Sequence, residues 1–428
     1  MKLWDKGYTT NNIVDRYTVG KDRILDLKLA KHDINGNSAH AKMLHKINIL
    51  SDVELKDILI ALDEIAATVT DGTFIIEEAF EDVHSKIEFE LVRKIGEAGK
   101  KIHTARSRND QVLVDLHLYT KEEIDSIKNL IQGLFETLMR LAKEHKSVII
   151  PGYTHMQVAM PSSFGLWFSA YAESLIDDLI MLNAAYKISD QNPLGSAAGY
   201  GSSFPIDREL TTELLGFETM KYNVIAAQMS RGKLEKTMAF AMASVSGTLS
   251  KLSADICLFM SQNFNFIGFP KELTTGSSIM PHKQNPDVFE LLRAKSNKIQ
   301  NLPTEIMLLT NNLTSGYHRD FQLLKENYME GIDALKDNLE VCEFMLQHVI
   351  IKEDILNDPI YDAMYSVEEV NDLVMNGMNF RDAYQYLGKV ILEGEFTPKK
   401  QVIHTHDGSI GNLCLDKIRT KFLNVFKS

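Results

Sequence analysis

Cysteine and proline are scarce in this chain, and strand signals are weak. Cys257, Cys342 and Cys414 are its three cysteines, widely spaced and never in a CxxC pair. An odd count without scaffold spacing excludes a disulfide-stapled fold and points to buried free thiols in a reducing compartment. The ten prolines leave the first 150 residues empty, and the stretch from Pro205 to Pro270 as well. An internal proline breaks a helix, so both stretches are free to form long ones. No apolar run reaches the roughly 18 residues of a membrane span. The opening "MKLWDKGYTTNN" lacks the apolar region of a signal peptide. Cytoplasm is the expected location. Lys and Arg total 46 against 58 Asp and Glu, a net charge of -12, which makes nucleic acid and anionic membrane poor partners. A local cationic pocket for a small anion remains compatible with that balance. GxGxxG, Walker A, HExxH and zinc-ligand patterns do not occur, and the two histidines of "HTHD", His404 to Asp407, are not expected to hold a metal.

What is present is helical periodicity. Ile124, Ile127, Ile131, Leu134, Leu138 and Leu141 step by three and four. Leu234, Met238, Met242, Val245, Leu249, Leu252, Ile256 and Phe259 step almost identically. Such stripes are seams for helix–helix packing. "SDVE" at Ser51–Glu54 predicts a capping box opening a helix that stops near Asp71–Gly72, and "SVEE" at Ser366–Glu369 predicts a second box. "SVIIPGYTH" could begin extended. The expected class is all-α. A long-helix bundle over residues 107–352, with a loop at 270–286, is flanked by smaller helical domains at 1–106 and 353–428.

Four polar islands interrupt the apolar pattern. "HTARSRNDQ", His103 to Gln111, offers Arg106, Arg108 and Asn109 as planar donors to a carboxylate. "PGYTHMQ", Pro151 to Gln157, places Thr154 and His155 after a Pro-Gly turn, and histidine is the side chain best suited to move protons near neutral pH. "GSSIMPHKQNP", Gly276 to Pro286, sits between two long helical segments. A loop of that size in a compact domain is usually functional. Lys283 is a point charge suited to a carboxylate. Asn285 before Pro286 reads as an N-cap whose helix aims its positive dipole end at the loop, and Glu290 lies one turn in. "YHRDFQLLKE", Tyr317 to Glu326, puts Tyr317, Gln322 and Lys325 in an otherwise amphipathic segment.

At these residues the chain resembles the fumarase/aspartase superfamily, whose signature loop is GSSxMPxKxNP, and within it the argininosuccinate lyase family. "HTARSRNDQV", "PGYTHMQ", "NPLGSAAGYGSSFPIDRE" and "EDVH" carry the match, which spans about residues 10 to 390. The resemblance implies a homotetramer with a twenty-helix core and active sites shared among three subunits. It also implies cofactor-free elimination of argininosuccinate to arginine and fumarate. By that resemblance Ser277 and His155 form the acid/base pair and Glu290 orients His155. Lys283 and Asn285 bind the succinyl carboxylates. Thr18, Asp22, His84, Arg108, Asn109, Thr154, Tyr317, Gln322 and Lys325 complete the substrate site. Ser277 is favoured as base because the loop surrounds it with positive potential, and the sequence leaves the reverse assignment open. Three departures are visible: "LWDKGY" replaces the usual "LWGGRF", Thr18 stands where serine is usual, and "PHKQNP" replaces "PQKKNP". "PHK" is nearer to adenylosuccinate lyases, which keeps an adenylosuccinate or other succinyl-adduct lyase as the alternative. An inactive structural relative is the alternative of another class.

Overall fold

The computed structural model describes residues 11–427, so the "LWDKGY" departure and most of the opening segment lie outside the described residues. The all-α expectation holds. Long helices run over Arg108–Glu144, Phe164–Ser189, Lys233–Met260 and Leu324–Leu346, and both predicted seams are buried along their whole length. Each leucine or isoleucine removed from water contributes about 1.5–3 kcal/mol, so these stripes are the main source of stability. Strands among the described residues form three short pairs.

The chain divides into two compact units. The first comprises residues up to Ile127, Met181–Ala243 and Lys298–Leu335. Its shorter helices include Asn12–Val19, Ala30–Lys46, Asp52–Thr70 and Val83–Ile95. Ser51 caps the Asp52–Thr70 helix as predicted: its hydroxyl accepts from the Glu54 N–H while the Glu54 carboxylate accepts from the Ser51 N–H. Asp71 ends that helix, and Gly72 takes the left-handed conformation. Gly331 shows how closely elements approach. A Cβ there would lie 2.9 Å from Leu302 Cδ2 and 3.2 Å from Met242 Cε, so only glycine fits without displacement. Beside this contact region Tyr328, fully buried, bonds its hydroxyl to Thr120 Oγ1 at 2.7 Å.

The second unit comprises Lys128–Ile180, Ser244–Asn297 and Lys336 onward. "SVIIPGYTH" is indeed extended: strand β1, Ile149–Thr154, pairs antiparallel with strand β2, Gln157–Ser163. Phe135 stacks on Phe422 of the Leu415–Phe426 helix at 3.8 Å between ring centroids. Val370, Ala383 and Leu387 form a small core of the tail. Here the second capping box fails. Ser366 already lies inside its helix, because a 3-10 turn over Pro359–Tyr365 runs straight into it and Tyr365 takes the cap position without a side-chain bond. The three cysteines are free; Cys342 is buried and the other two are half-buried. His404 is held by Glu368 at 3.1 Å and Ser409 at 2.7 Å, which fits a structural role. No helix among the described residues is long and apolar enough to cross a membrane.

Candidate active site

The first unit holds an open cavity of about 200 Å³. Asp22, His84, Arg108, Asn109, Tyr317, Gln322 and Lys325 line it, seven residues drawn from four separate sequence stretches. Thr18 is near but not in the lining. Its hydroxyl folds back onto the Val14 carbonyl at 2.8 Å. Its own carbonyl accepts from Gln322 Nε2 at 2.7 Å and Arg319 Nη2 at 2.8 Å. Gln322 therefore spends its amide N–H groups on the chain and leaves its carbonyl oxygen for a ligand.

Local geometry sets each cavity side chain. Ala105 adopts a positive φ of 62°, turning the chain into the Arg108–Glu144 helix. Asp110 then accepts from the N–H groups of Ser107, Gly195 and Ala197 at 2.9, 3.1 and 3.0 Å, which ties the first polar island to the "GSAAG" stretch. Burial nonetheless raises the Asp110 carboxyl to about 6. Arg108 donates to Glu81 at 3.1 Å and to Ser85 Oγ at 2.6 Å, and lies 3.3 Å from Asp82. Asp82 is the N-cap of the Val83–Ile95 helix. Burial works against its ionisation, but the charges of His84 and Arg108 prevail and hold its carboxyl below the usual range. Lys325 is buried between Asp22 at 2.8 Å and Asp26 at 2.6 Å. Burial would strip its proton, yet the two carboxylates raise its pKa above the ordinary lysine value. Asp22 is raised to about 6, by burial first and by Asp26, against the pull of Lys325.

Sequence reading missed Asp26, Glu81, Asp82, Arg231 and Arg319 in the lining. Glu81 and Asp82 stood inside the quoted "EDVH", and Arg319 inside "YHRDFQ". Asp26 had a signal in its spacing, four residues after Asp22. Arg231 had none; it is buried, paired with Glu235 at 2.8 Å and donating to the Phe321 carbonyl at 2.8 Å. Arg106, offered as a carboxylate donor, instead bonds Asn37 Oδ1 at 2.6 Å and does not line the cavity.

Thr154, His155, Ser277, Lys283, Asn285 and Glu290 belong to the second unit and are absent from the cavity lining. Thr154 ends β1, and His155 with Met156 forms the two-residue tip between the strands. Both tip residues have positive φ, 53° and 60°, in place of the Asn-Gly or Gly pair such hairpins prefer. Holding a histidine there costs about 1–3 kcal/mol, and strain of that kind collects at functional positions. His155 is exposed, and its side chain has no hydrogen-bond partner among the described residues. In the loop, Ser277 Oγ accepts from the N–H groups of Ile279 and Met280 at 3.3 and 3.1 Å. Two amide donors aimed at one hydroxyl oxygen favour negative charge on it. Lys283 and Glu290 are exposed. Asn285 is not the N-cap. Its N–H pairs with the Thr275 carbonyl at 2.9 Å and its side chain donates to the Gly276 carbonyl at 3.2 Å, closing the base of the loop. Pro286 takes the cap position, its carbonyl accepting from Glu290 N–H at 3.0 Å. Asp287 and Glu290 in the first turn already offset that helix dipole.

A predominantly helical chain with a two-signed polar cavity in one unit and a Gly-Ser-Ser loop in the other fits a lyase. The comparisons place it further: a family described as "Lyase" matches residues 11–301, and the chain belongs to that family. A Parabacteroides distasonis protein named argininosuccinate lyase is 56% identical over 427 residues, covering 100% of this chain and 96% of that one. A Thermotoga neapolitana protein of the same name is 41% identical over 91% of this chain and 98% of its own. Among solved structures, an EDDS lyase in complex with formate superposes with a TM-score of 0.76 at 19% identity, over 98% of this chain and 90% of that one, which shows the fold.

Proposed function

We propose that the protein is an argininosuccinate lyase, cleaving the C–N bond of argininosuccinate by β-elimination to give arginine and fumarate. The observation that carries this reading is identity of 55–56% over 97–100% of the chain to several proteins of that name. The cavity supports it, since a ligand bearing carboxylates, an ammonium and a guanidinium needs acids and bases together, and the lining holds both.

The chemical demand is proton removal from a carbon beside a carboxylate, with charge spreading into that carboxylate. Most of the barrier is charge development. Lys283 and loop N–H groups stabilise it where it forms, and Asn285, beside the succinyl carboxylates, fixes the base of the loop that carries them. Ser277 acts as base. Its oxygen, already accepting two amide hydrogens, is a site where an alkoxide is tolerable once water is excluded. His155, oriented by Glu290, protonates the leaving guanidino nitrogen. Asp22, His84, Arg108, Asn109, Tyr317, Gln322 and Lys325 hold the substrate, with Thr154 and Thr18 beside it. The active enzyme is a homotetramer whose sites combine residues of different subunits, which accounts for an exposed, unpartnered His155 in the single chain. The setting is arginine biosynthesis in the cytoplasm.

The deciding experiment incubates purified protein with argininosuccinate and quantifies arginine and fumarate. Stoichiometric release of both is expected. Release of fumarate from adenylosuccinate in its place, or no release by folded protein from either, overturns the reading.

A further inference from the structure

The cations of the cavity wall differ in where their counter-charges lie. Lys325 faces Asp22 and Asp26, Arg108 faces Glu81 and Asp82, and Arg319 faces Glu81, all of them lining carboxylates. Arg231 and His84 are instead balanced from behind: Arg231 by Glu235, outside the lining, at 2.8 Å, with a further donation to the Phe321 carbonyl. His84 Nδ1 meets Asp33 Oδ1 at 2.8 Å and lies 3.7 Å from Asp115 Oδ2, and neither aspartate is in the lining. All three side chains are buried. With Nδ1 committed, Nε2 is the ring nitrogen left for the cavity, and it has no hydrogen-bond partner among the described residues.

We infer that Asp33 is a positioning residue that holds His84 as an imidazolium, so that its Nε2–H is a fixed donor for a substrate carboxylate. Only the identity of that carboxylate rests on the argininosuccinate reading. A neutral imidazole with Nδ1–H turned to Asp33 would offer a lone pair at Nε2 and repel the same ligand, so the charge state decides what is bound. The surroundings favour the cation. Burial alone would lower the His84 pKa, but Asp33, then Asp115 and Asp82, outweigh it and raise the ring to about 9. Opposing them are Arg106, whose field is shared by Asp33, Asp110, Glu88 and Asp115, Arg108, and His103, which burial and both arginines keep near 4 and therefore neutral. Asp115 is raised well above the usual carboxylate value by burial first and by Asp33, and at 3.7 Å it lies farther from the ring than Asp33 at 2.8 Å, so Asp33 is the nearer counter-charge.

The test follows histidine rings by 15N NMR in the full-length protein, with His84 assigned by His84→Asn. The His84 ring is expected to keep both N–H protons from pH 6 to pH 8 in the wild type. In Asp33→Asn it should lose one within or below that range, and Asp33→Glu should restore it. Kinetically, the wild-type KM does not rise between pH 7 and pH 8, above the titration of Asp22, whereas KM in Asp33→Asn is about tenfold higher at pH 8 with a smaller change in kcat. Product inhibition assigns the ligand: weaker inhibition by fumarate alone, or by arginine alone, names the carboxylate involved. Wild-type titration below pH 7 overturns the inference even if Asp33→Asn does not fold. Unchanged inhibition by both products in a folded Asp33→Asn also overturns it. The ring titration needs no turnover, so its failure is separable from failure of the proposed activity.

Discussion

Lys325 shows how one side chain serves both architecture and site. Buried between two carboxylates, it neutralises charge that the cavity would otherwise bear. Lys325→Met is therefore expected to cost about 3–5 kcal/mol, the usual penalty for leaving a buried charge without its partner. The pH dependence has a definite sign. Asp22 has a folded pKa of about 6, above its unfolded value, so its contribution to stability is present below about pH 4 and lost as pH rises through 6. Without Lys325 that pKa climbs further. The melting-temperature deficit of the variant should widen from pH 5 to pH 8, and a deficit independent of pH would refute the account. Ser277 poses the opposite case, since the role proposed for it is chemical and its half-buried hydroxyl bonds only to its own loop. Ser277→Ala should reduce single-turnover elimination by at least about 10³-fold while substrate still binds, read by fumarate formation and by calorimetry. The polar islands were visible because polar side chains interrupt apolar stripes. Arg231 was invisible because its i,i+4 pairing with Glu235 reads as an ordinary surface helix pair, and only the fold buries it and brings the distant Phe321 carbonyl to it.

At the scale of elements, periodicity read the long helices correctly because burial on one face dictates spacing, whatever the rest of the chain does. Caps were less secure. Ser51 works because the chain enters its helix from an extended conformation, with φ -77° and ψ 166°. Ser366 fails because a 3-10 turn feeds directly into its helix, and Asn285 fails because it is tied into the base of the loop and the helix begins at Asp287, leaving the cap position to Pro286. The contrast is measurable. Ser51→Ala should cost about 1 kcal/mol, whereas Ser366→Ala should stay within about 0.5 kcal/mol of wild type in denaturant unfolding. The His155–Met156 tip gives a prediction of the other sign. Met156→Gly relieves strain of about 1–3 kcal/mol against an entropic cost near 0.5–1 kcal/mol, so stability should rise by up to about 2.5 kcal/mol. Activity should persist in that variant and vanish in His155→Asn. A tip that loses stability with glycine would show that the positive φ at Met156 is not strained.

For the whole molecule, chain chemistry and single-chain geometry explain different parts of the site. The cavity gathers residues from early, central and late stretches of sequence within one unit, and its two-signed lining suits a zwitterionic ligand. The hairpin tip and most of the Gly-Ser-Ser loop stand exposed, so the proposed chemistry on them requires another copy of the chain to cover them. Sequence announces those motifs but leaves the proposed sharing between copies open, since subunit geometry leaves no local pattern. Complementation between inactive variants supplies the measurement. His155→Asn and Lys283→Ala should each be inactive alone. Random reassembly of equal amounts after co-refolding gives any site drawing the two residues from different subunits an even chance of each intact partner. About a quarter of wild-type activity should return, in a species sedimenting as a tetramer. If the two residues served a site from the same subunit, every site in the mixture would carry one lesion, and activity would stay at the level of the separate variants.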